Sequence, residues 1–311
     1  MFITAFIEKR KFKSLLYYTL GRIVHEIRVT LYYRIYKREY VITKKFESIF
    51  GYTPNLINPK TLNEKIQWLK LNDHKDFYSV CADKYAVRQY ISSKFGEDFL
   101  IPLYYHTDNW EEINSININK FPCIVKANHS SKDYVIIRNA NDINWKELQY
   151  KCRWWLHRDY YAESGEWQYK NIKRQIVVEK LLTTGDGKIP NDYKLHYMNG
   201  ELKFVYVSVD REGSNARNIY DENWAPLYFQ WDGTDKNAKN RRGNEIPAPK
   251  TFELMKEYGK IIAKDFKYVR IDYYDVDGKL YFGEITLYHG GGFDVFIPDS
   301  YDAYWGNILK I

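Results

Sequence analysis

Two short extended segments near the C-terminus concentrate the groups able to handle phosphate and a hard cation. In Val269-Arg270-Ile271-Asp272-Tyr273-Tyr274, the period of two that side chains follow along a strand puts Arg270 and Asp272 on one face. In Leu280-Tyr281-Phe282-Gly283-Glu284-Ile285-Thr286 it gives Glu284 and Thr286 a common face. Two carboxylates and a hydroxyl aimed at one point suit an oxygen-coordinated divalent ion, and magnesium normally meets proteins through one or two carboxylates plus substrate phosphates. Arg270 beside them suits negative charge that develops in a reaction. The structural alternative is an exposed, salt-bridged hairpin.

Whether the two faces coincide depends on the turn. A two-residue loop at Asp277-Gly278 pairs Ile271 with Glu284 and sends Asp272 the other way. A three-residue loop at Val276-Asp277-Gly278 pairs Arg270 with Glu284 and brings all four polar groups together. The longer loop has an established form, a type I turn closed by a left-handed glycine and a bulge, and Gly278 stands where that glycine belongs. The three-residue loop is therefore expected.

The elements that must position this hairpin can be read from periodicity. Thr61-Leu62-Asn63-Glu64 has the form of a capping box, with Leu62, Ile66 and Leu69 on one apolar helical face. A second helix is expected after Asp83, carrying Tyr85, Val87 and Tyr90. From Phe121 the pattern turns extended: Cys123-Ile124-Val125-Lys126, a polar break over 128–133, then Tyr134-Val135-Ile136-Ile137. A helix around Trp145 to Tyr160 and a strand over 175–182 follow. Asn199-Gly200 marks another hairpin, which with a two-residue loop places Asp192, Lys194 and His196 on one face with Lys203 and Val205. Phe252, Met255, Tyr258, Ile262 and Phe266 keep helical spacing and should cover the sheet. The expected divisions are residues 1–50, a basic amphipathic helical segment; 51–120, an N-terminal subdomain; 121–183, a lid-like subdomain; and 184–311, a C-terminal subdomain with the metal site.

Composition narrows the classes. At 311 residues the chain can bury a core without staples, and three scattered cysteines, Cys81, Cys123 and Cys152, fit neither paired disulfides nor a zinc site. A reducing cytoplasm is the expected home. Residues 1–45 hold eleven Lys or Arg against three Glu, a net +8, which leaves −1 for residues 46–311 out of a total of +7. The basicity belongs to the N-terminal segment. From Phe2 to Lys45 no stretch approaches the ~20 apolar residues of a spanning helix, nor does it resemble a signal peptide. Leu15, Leu16, Thr19, Ile23, Glu26 and Ile27 approximate a helical stripe, with Arg22, Arg28, Arg34, Lys37 and Arg38 available to anionic headgroups. The two readings are attachment to the inner membrane face and a solvated helix packed on the body; no nucleic-acid partner is expected. No Walker loop, dinucleotide glycine fingerprint or His/Cys metal spacing occurs.

Lys126 in Ile-Val-Lys, Val-Val-Glu-Lys-Leu-Leu at 177–182, Arg-Ile-Asp at 270–272 and Glu-Ile-Thr at 284–286 follow the order and spacing of the ATP-grasp superfamily, which the chain resembles. Within it the chain looks most like the TupA-like group linked to bacterial surface polysaccharides. That likeness is carried by Asn-Glu-Lys-Ile-Gln-Trp at 63–68, Ala-Asp-Lys-Tyr-Ala-Val-Arg at 82–88, Gly-Glu-Trp-Gln-Tyr-Lys at 165–170 and Tyr-Phe-Gly-Glu at 281–284, and covers roughly residues 45 to 305.

The resemblance implies an α+β fold with antiparallel sheets, covering helices, and ATP held between two α+β subdomains. It makes Lys126 the lysine on the α- and β-phosphates, with the loop through Ser130 and Ser131 donating amides alongside, although this loop lacks the superfamily's usual glycine. It places Glu179, Lys180 and Leu182 on the hinge strand at adenine, Asp192 at the ribose hydroxyls, and Lys194 and Lys203 toward the γ-phosphate or acceptor. Asp272, Glu284 and Thr286 match the magnesium ligands, with Thr286 in place of the more usual Asn, and Arg270, helped by amides near Gly290, Gly291 and Gly292, matches the arginine that steadies the tetrahedral intermediate.

The implied activity is an ATP- and Mg2+-dependent, ADP-forming ligase that activates a carboxylate as an acyl phosphate and joins it to an amine. By family analogy the partners are an amine or amino acid and a uronic-acid carboxylate on a polysaccharide or its lipid-linked precursor. Two rivals remain at this level. One is a glycosyltransferase using Asp275 and Asp277 as an Asp-x-Asp motif, which reads equally as turn chemistry. The other is a non-catalytic, membrane-associated assembly protein, suggested by the glycine-poor loop and Thr286.

Overall fold

Residues 12–29, 35–237 and 239–311 are described by the computed structural model. Phe2 and Arg34 of the basic segment, and the Arg28 side chain, lie outside the described residues. The N-terminal part is helical: α1 (Leu15–Arg28), α2 (Arg38–Phe50), α3 (Leu62–Asn72), α4 (Asp76–Ala82) and α5 (Val87–Phe95). The capping box starts α3 as its sequence dictates: Thr61 Oγ1 accepts from the Glu64 amide at 3.2 Å, and Glu64 Oε2 accepts from the Thr61 amide at 3.1 Å. Leu62, Ile66 and Leu69 then turn into the core, each contributing about 1.5–3 kcal/mol by burial. Asp83 accepts from the amides of Tyr85 and Ala86 and bends the chain into α5, so that Tyr85 precedes the helix it was expected to join.

The smaller sheet contains β1 (Leu103–Thr107), β2 (Cys123–Ala127), β3 (Tyr134–Ile137) and β4 (Ile176–Lys180) in the order β1-β4-β2-β3, with every pair antiparallel. Its strand β1 comes from ahead of the expected boundary at residue 121. Helices α6 (Trp145–His157) and α7 (Tyr160–Ser164) lie between β3 and β4 in the chain. Leu148, Cys152 and Trp155 of α6 share a buried cluster with Val125, Ile176 and Val178, and α1 joins it through Tyr18, stacked on Tyr150 at 5.9 Å.

The larger sheet is built from β5 (Asp192–Met198), β6 (Glu201–Val209), β7 (Ala216–Tyr220), β8 (Pro226–Leu227), β10 (Tyr268–Val276) and β11 (Lys279–Thr286), ordered β11-β10-β5-β6-β7-β8. A two-stranded pair, β9 (Gln230–Trp231) with β12 (Phe296–Ile297), and the C-terminal α9 (Ser300–Ile308) close one end. Met255 and Ile262 of α8 (Phe252–Ala263) cover the larger sheet together with α3, in a second, larger core.

Both hairpins turn on two residues in the left-handed region: Asn199 (φ 53°) with Gly200 (83°), and Asp277 (55°) with Gly278 (88°). This corrects the three-residue loop expected at Val276-Asp277-Gly278, since Val276 pairs with Lys279. The tight type I′ turn matches the twist of the flanking strands, and Asp tolerates the left-handed conformation at its first position. A bulge then passes over Gly283, so that Tyr273 pairs with Phe282 but Asp272 pairs with Glu284 and Arg270 with Thr286. The four polar groups share one face as expected, through a bulge instead of a longer turn. A Cβ on Gly283 would stand 2.8 Å from the Asp272 carbonyl oxygen, so the crossing requires glycine.

The first hairpin is corrected in the same way. A bulge passes over Lys203, and Asp192, Lys194 and His196 stand opposite Ser208, Tyr206 and Phe204 instead of sharing a face with Lys203 and Val205.

Candidate active site

Arg270 is the centre of a buried ionic cluster. Its Nε donates to Asp272 Oδ1 and its NH2 to Asp272 Oδ2, both at 2.7 Å, and the same NH2 reaches Glu284 Oε1 at 2.7 Å. Thr286 Oγ1 donates to Glu284 Oε1 at 3.0 Å. From the neighbouring strand β5, Lys194 Nζ reaches Asp272 Oδ2 at 2.9 Å and also pairs closely with Asp192. The register explains the convergence: Lys194 on β5, Asp272 on β10 and Glu284 on β11 stand in one row across three strands.

The same row sets the charges. Burial pushes the Asp272 carboxyl above its ordinary value, opposed by Arg270 and Lys194. Burial acts on Glu284 in the same direction but is outweighed by Arg270, Lys84 and Lys194, which hold it at about 2. Burial alone would lower Arg270, yet Asp272 and Glu284 keep its guanidinium more firmly protonated than usual. Neighbouring carboxylates are thereby given different proton affinities by their surroundings. Their oxygens and the Thr286 hydroxyl form a hard donor set of the kind magnesium takes.

Across from this row, on the smaller sheet, Lys126 Nζ lies 2.5 Å from Glu179 Oε2, and Arg88 NH1 lies 3.1 Å from Glu179 Oε1. Lys84 completes the group: its Nζ donates to the Ser130 carbonyl at 2.6 Å, and burial, which lowers its pKa, is countered first by the charge of Glu284. Arg88 thus anchors on the smaller sheet and Lys84 lies between that sheet's loop and the charge of Glu284, and residue-by-residue reasoning did not assign either a role. The available signal was their place in the Ala-Asp-Lys-Tyr-Ala-Val-Arg stretch. Between Lys126 and Glu179 on one side and Phe282 and Gly283 on the other, the enclosed cavity measures about 10 Å³.

The loop without glycine is held by side chains. Asn128 donates to Asp83 Oδ1 at 2.8 Å and to the Lys173 carbonyl at 2.9 Å, and accepts from the Gln175 amide at 2.7 Å. Ser130 is buried, its Oγ without a hydrogen-bond partner among the described residues, whereas Ser131 is exposed. On β4 the Lys180 side chain is exposed while its amide donates to the Pro102 carbonyl at 2.9 Å; Leu182 is buried. Asp192 is buried, and its Oδ1 has no hydrogen-bond partner among the described residues. Lys203 departs from the group expected of it, because its Nζ turns to Glu201 Oε2 at 2.6 Å beside the hairpin end.

The loop after β11 carries three successive glycines in the left-handed region, Gly290 (φ 55°), Gly291 (63°) and Gly292 (73°). Gln67 donates to the carbonyls of Gly291 and Gly292 at 3.0 and 2.7 Å, and Lys70 to that of Gly291 at 3.0 Å. Within this loop the Gly291 amide is spent on the Tyr288 carbonyl at 2.9 Å. His289 joins loop to cluster, with Nδ1 3.1 Å from Arg270 NH1 and Nε2 3.3 Å from Asp294. Asp275 and Asp277 sit elsewhere: Asp275 holds the Thr251 amide and hydroxyl and the Gly278 amide, and Asp277 accepts from the Gly185 amide.

An α+β chain with two antiparallel sheets, a lysine on the smaller and an acidic strand pair on the larger, has the architecture of an ATP-grasp protein. Residues 64–310 match the family described as TupA-like ATP-grasp, and the chain belongs to that family. Among solved structures it is similar to the D-alanine–D-alanine ligase of Bacillus anthracis complexed with ATP, at 14% identity over 67% of this chain and 54% of that one, TM-score 0.40. It is also similar to the ATP-grasp ligase PsnB complexed with minimal precursor, Mg and ADP (13% identity, 68% of this chain and 52% of that one, TM-score 0.36). A third likeness is to N5-carboxyaminoimidazole synthetase of Staphylococcus aureus (16%, 67% and 44%, 0.35). The chain spans about half the length of these proteins. No curated protein matches it.

Proposed function

We propose that this protein is an ATP- and Mg2+-dependent ligase that activates a carboxylate with the γ-phosphoryl group of ATP and joins it to an amine, releasing ADP and phosphate. The observation that carries the reading is the row Lys194–Asp272–Glu284, buried at Asp272 and opening toward solvent at Glu284, with Arg270 bridging both carboxylates. Asp272, Glu284 and Thr286 would hold the magnesium, which when bound neutralises the transferring phosphoryl group. Lys126 and Lys84 take the α- and β-phosphates beside the Ser130–Ser131 loop, which anchors through Asn128 in place of glycine. Glu179, Lys180 and Leu182 face adenine, with Lys180 contributing main chain. Asp192 keeps a buried oxygen for the ribose hydroxyls. Arg270 and Lys194 steady charge on the acceptor and the γ-phosphate.

The acceptor we favour is a uronic acid on a cell-surface polysaccharide or its lipid-linked precursor, and the nucleophile an amino acid or other amine. Among the described residues no helix is long and apolar enough to cross a membrane. Leu16, Leu20, Ile23 and Ile27 of α1 are nonetheless exposed along one face, at 66%, 37%, 52% and 53%, while Tyr18 packs inward. That stripe, on a segment of net charge +8, supports placement on the inner face of an anionic membrane.

The decisive experiment incubates the protein with ATP, Mg2+, an amino acid and a uronate-bearing oligosaccharide, with ADP and amide product followed by mass spectrometry. ADP and amide formation that disappears in Glu284→Gln is expected; sugar-nucleotide turnover without ATP would overturn the reading. Absence of ATP·Mg2+ binding in calorimetry would leave the assembly-protein alternative.

A further inference from the structure

A cavity separate from the ionic row opens on the N-terminal side of the molecule. It measures about 520 Å³ and lies between α2, the α7 turn at 163–165 and Phe293, within the ~300–1,000 Å³ span of small-ligand sites. Its floor is apolar, formed by Val41, Ile42 and Phe293. Its charged lining is Arg38, Lys44, Lys45 and Glu163.

The charges do not cancel within the cavity. Glu163 is already matched from outside it by Arg158, whose Nε and NH2 reach its two oxygens at 2.7 and 2.8 Å. Arg38 is fixed at the wall by bonds from NH1 to the carbonyls of Tyr161 and Ala162, both at 3.2 Å, and by its stack on the Tyr161 ring. Lys44 pairs with Glu47 at 2.8 Å. Lys45 forms no ion pair among the described residues, and its Nζ stands 4.0 Å from the Phe293 ring centroid. The lining therefore presents surplus positive charge over an aromatic and aliphatic floor, although Glu166 and Asp294 act on Lys45 from behind it, and the hydroxyls of Ser48 and Ser164, held by the Lys45 carbonyl and the Glu166 amide, lie beside it. Such a mixture matches a pyranose bearing an anionic group: carbon–hydrogen faces for the floor, hydroxyls for the serines, and an acid for the lysines.

Position supports the same conclusion. Phe293 directly follows the glycines whose loop reaches Arg270 through His289, so the pocket is one loop away from the row. Its basic wall lies on α2, ahead of residue 64 where the family match begins. We propose that this pocket binds an acidic saccharide unit, carboxylate- or phosphate-bearing, and holds the acceptor chain beside the reaction centre, a role that rests on the ligase reading.

The test titrates the full chain with glucuronate, glucose 6-phosphate and glucose, monitored by ligand-observed NMR, with ATP·Mg2+ binding followed separately by calorimetry. Saturable binding of one or both acidic sugars and none of glucose is expected; the two acidic arms separate carboxylate from phosphate. The paired variant Lys44→Gln/Lys45→Gln changes exposed side chains and should weaken acidic-sugar binding about ten-fold or more with ATP·Mg2+ binding unchanged. Ser48→Trp, which fills the cavity without altering charge, should abolish it. Equal binding of glucose, or unchanged affinity in both variants, overturns the proposal. ATP·Mg2+ binding without acidic-sugar binding removes the pocket and leaves the ligase reading, whereas variant-sensitive sugar binding in a protein that ignores ATP·Mg2+ keeps the pocket and removes the ligase reading.

Discussion

Asp272 and Glu284 are direct cross-strand partners, and they face one another only because the ladder passes over Gly283 between them. A side chain at that position collides with the Asp272 carbonyl. Gly283→Ala should therefore cost about 1–3 kcal/mol in urea unfolding, as overpacking commonly does, and should weaken ATP·Mg2+ binding in calorimetry as the carboxylates separate. Wild-type nucleotide affinity in this variant would refute the link between bulge and metal site.

Glu284→Gln keeps the shape of the side chain and its contact with Thr286 but removes the charge. ADP formation should fall about 10²–10³-fold, the scale seen when one preorganised electrostatic group is lost. The thermal midpoint should move little, because Arg270 retains both bonds to Asp272.

Lys84, like Arg88, is a residue of the cleft that sequence reasoning passed over. Lys84→Met should weaken ATP binding about ten- to hundred-fold, the value of a hydrogen bond to a charged group. Lys180→Ala, which trims an exposed side chain at the end of β4, should leave the calorimetric affinity unchanged.

A pH effect is expected at Asp302, outside the ionic row. Asp302 accepts from the Asn63 amide at 2.8 Å and from its side chain at 3.1 Å, yet burial carries its pKa from 3.8 to about 6. The folded state thus binds a proton more tightly than the unfolded one. The resulting stabilisation is full below pH 3.8 and is lost as the pH rises through about 6. In urea titrations from pH 4 to 7, the advantage of wild type over Asp302→Asn should shrink with rising pH by on the order of 2–3 kcal/mol. A constant difference would exclude this titration.

Leu20→Asp/Ile23→Asp places two charges on the outward stripe of α1 without touching Tyr18. Sedimentation with anionic phospholipid vesicles should fall more than about ten-fold, given about 1.5–3 kcal/mol for each large apolar side chain buried, and wild-type binding should weaken with salt. Equal sedimentation of variant and wild type would place α1 elsewhere.

The sequence already showed α3 with its capping box, α8, the Asn199-Gly200 turn and the acidic strand pair, because each is specified by neighbours a few residues apart. What stayed hidden was set by tertiary packing. Nothing local distinguishes a bulge at Gly283 from a longer turn at Gly278, since both need a glycine and both bring Asp272 and Glu284 to one face. The strand Leu103–Thr107 is too short and mixed to announce itself, and becomes a strand because β4 offers it an edge. Lys84 and Arg88 read as ordinary helix-flanking cations until the fold carries them to Glu179 and Ser130.

The contacts around Arg270 and Glu179 have a consequence for the order of events. Apart from Lys84, which rests on the Ser130 carbonyl, each cation proposed to meet phosphate and each carboxylate proposed to meet metal is already paired with a counterpart on the same chain. A bare nucleotide would have to strip lysines from their carboxylates, and a bare metal would have to compete with a guanidinium; either exchange alone leaves charges stranded. Arriving together, the two ligands would release both sides of the pairs at Asp272 and Glu284 at once, while Glu179 keeps Arg88 when Lys126 leaves it. A cleft so paired would act as a coincidence detector, nearly indifferent to either ligand singly and responsive to the complex of the two.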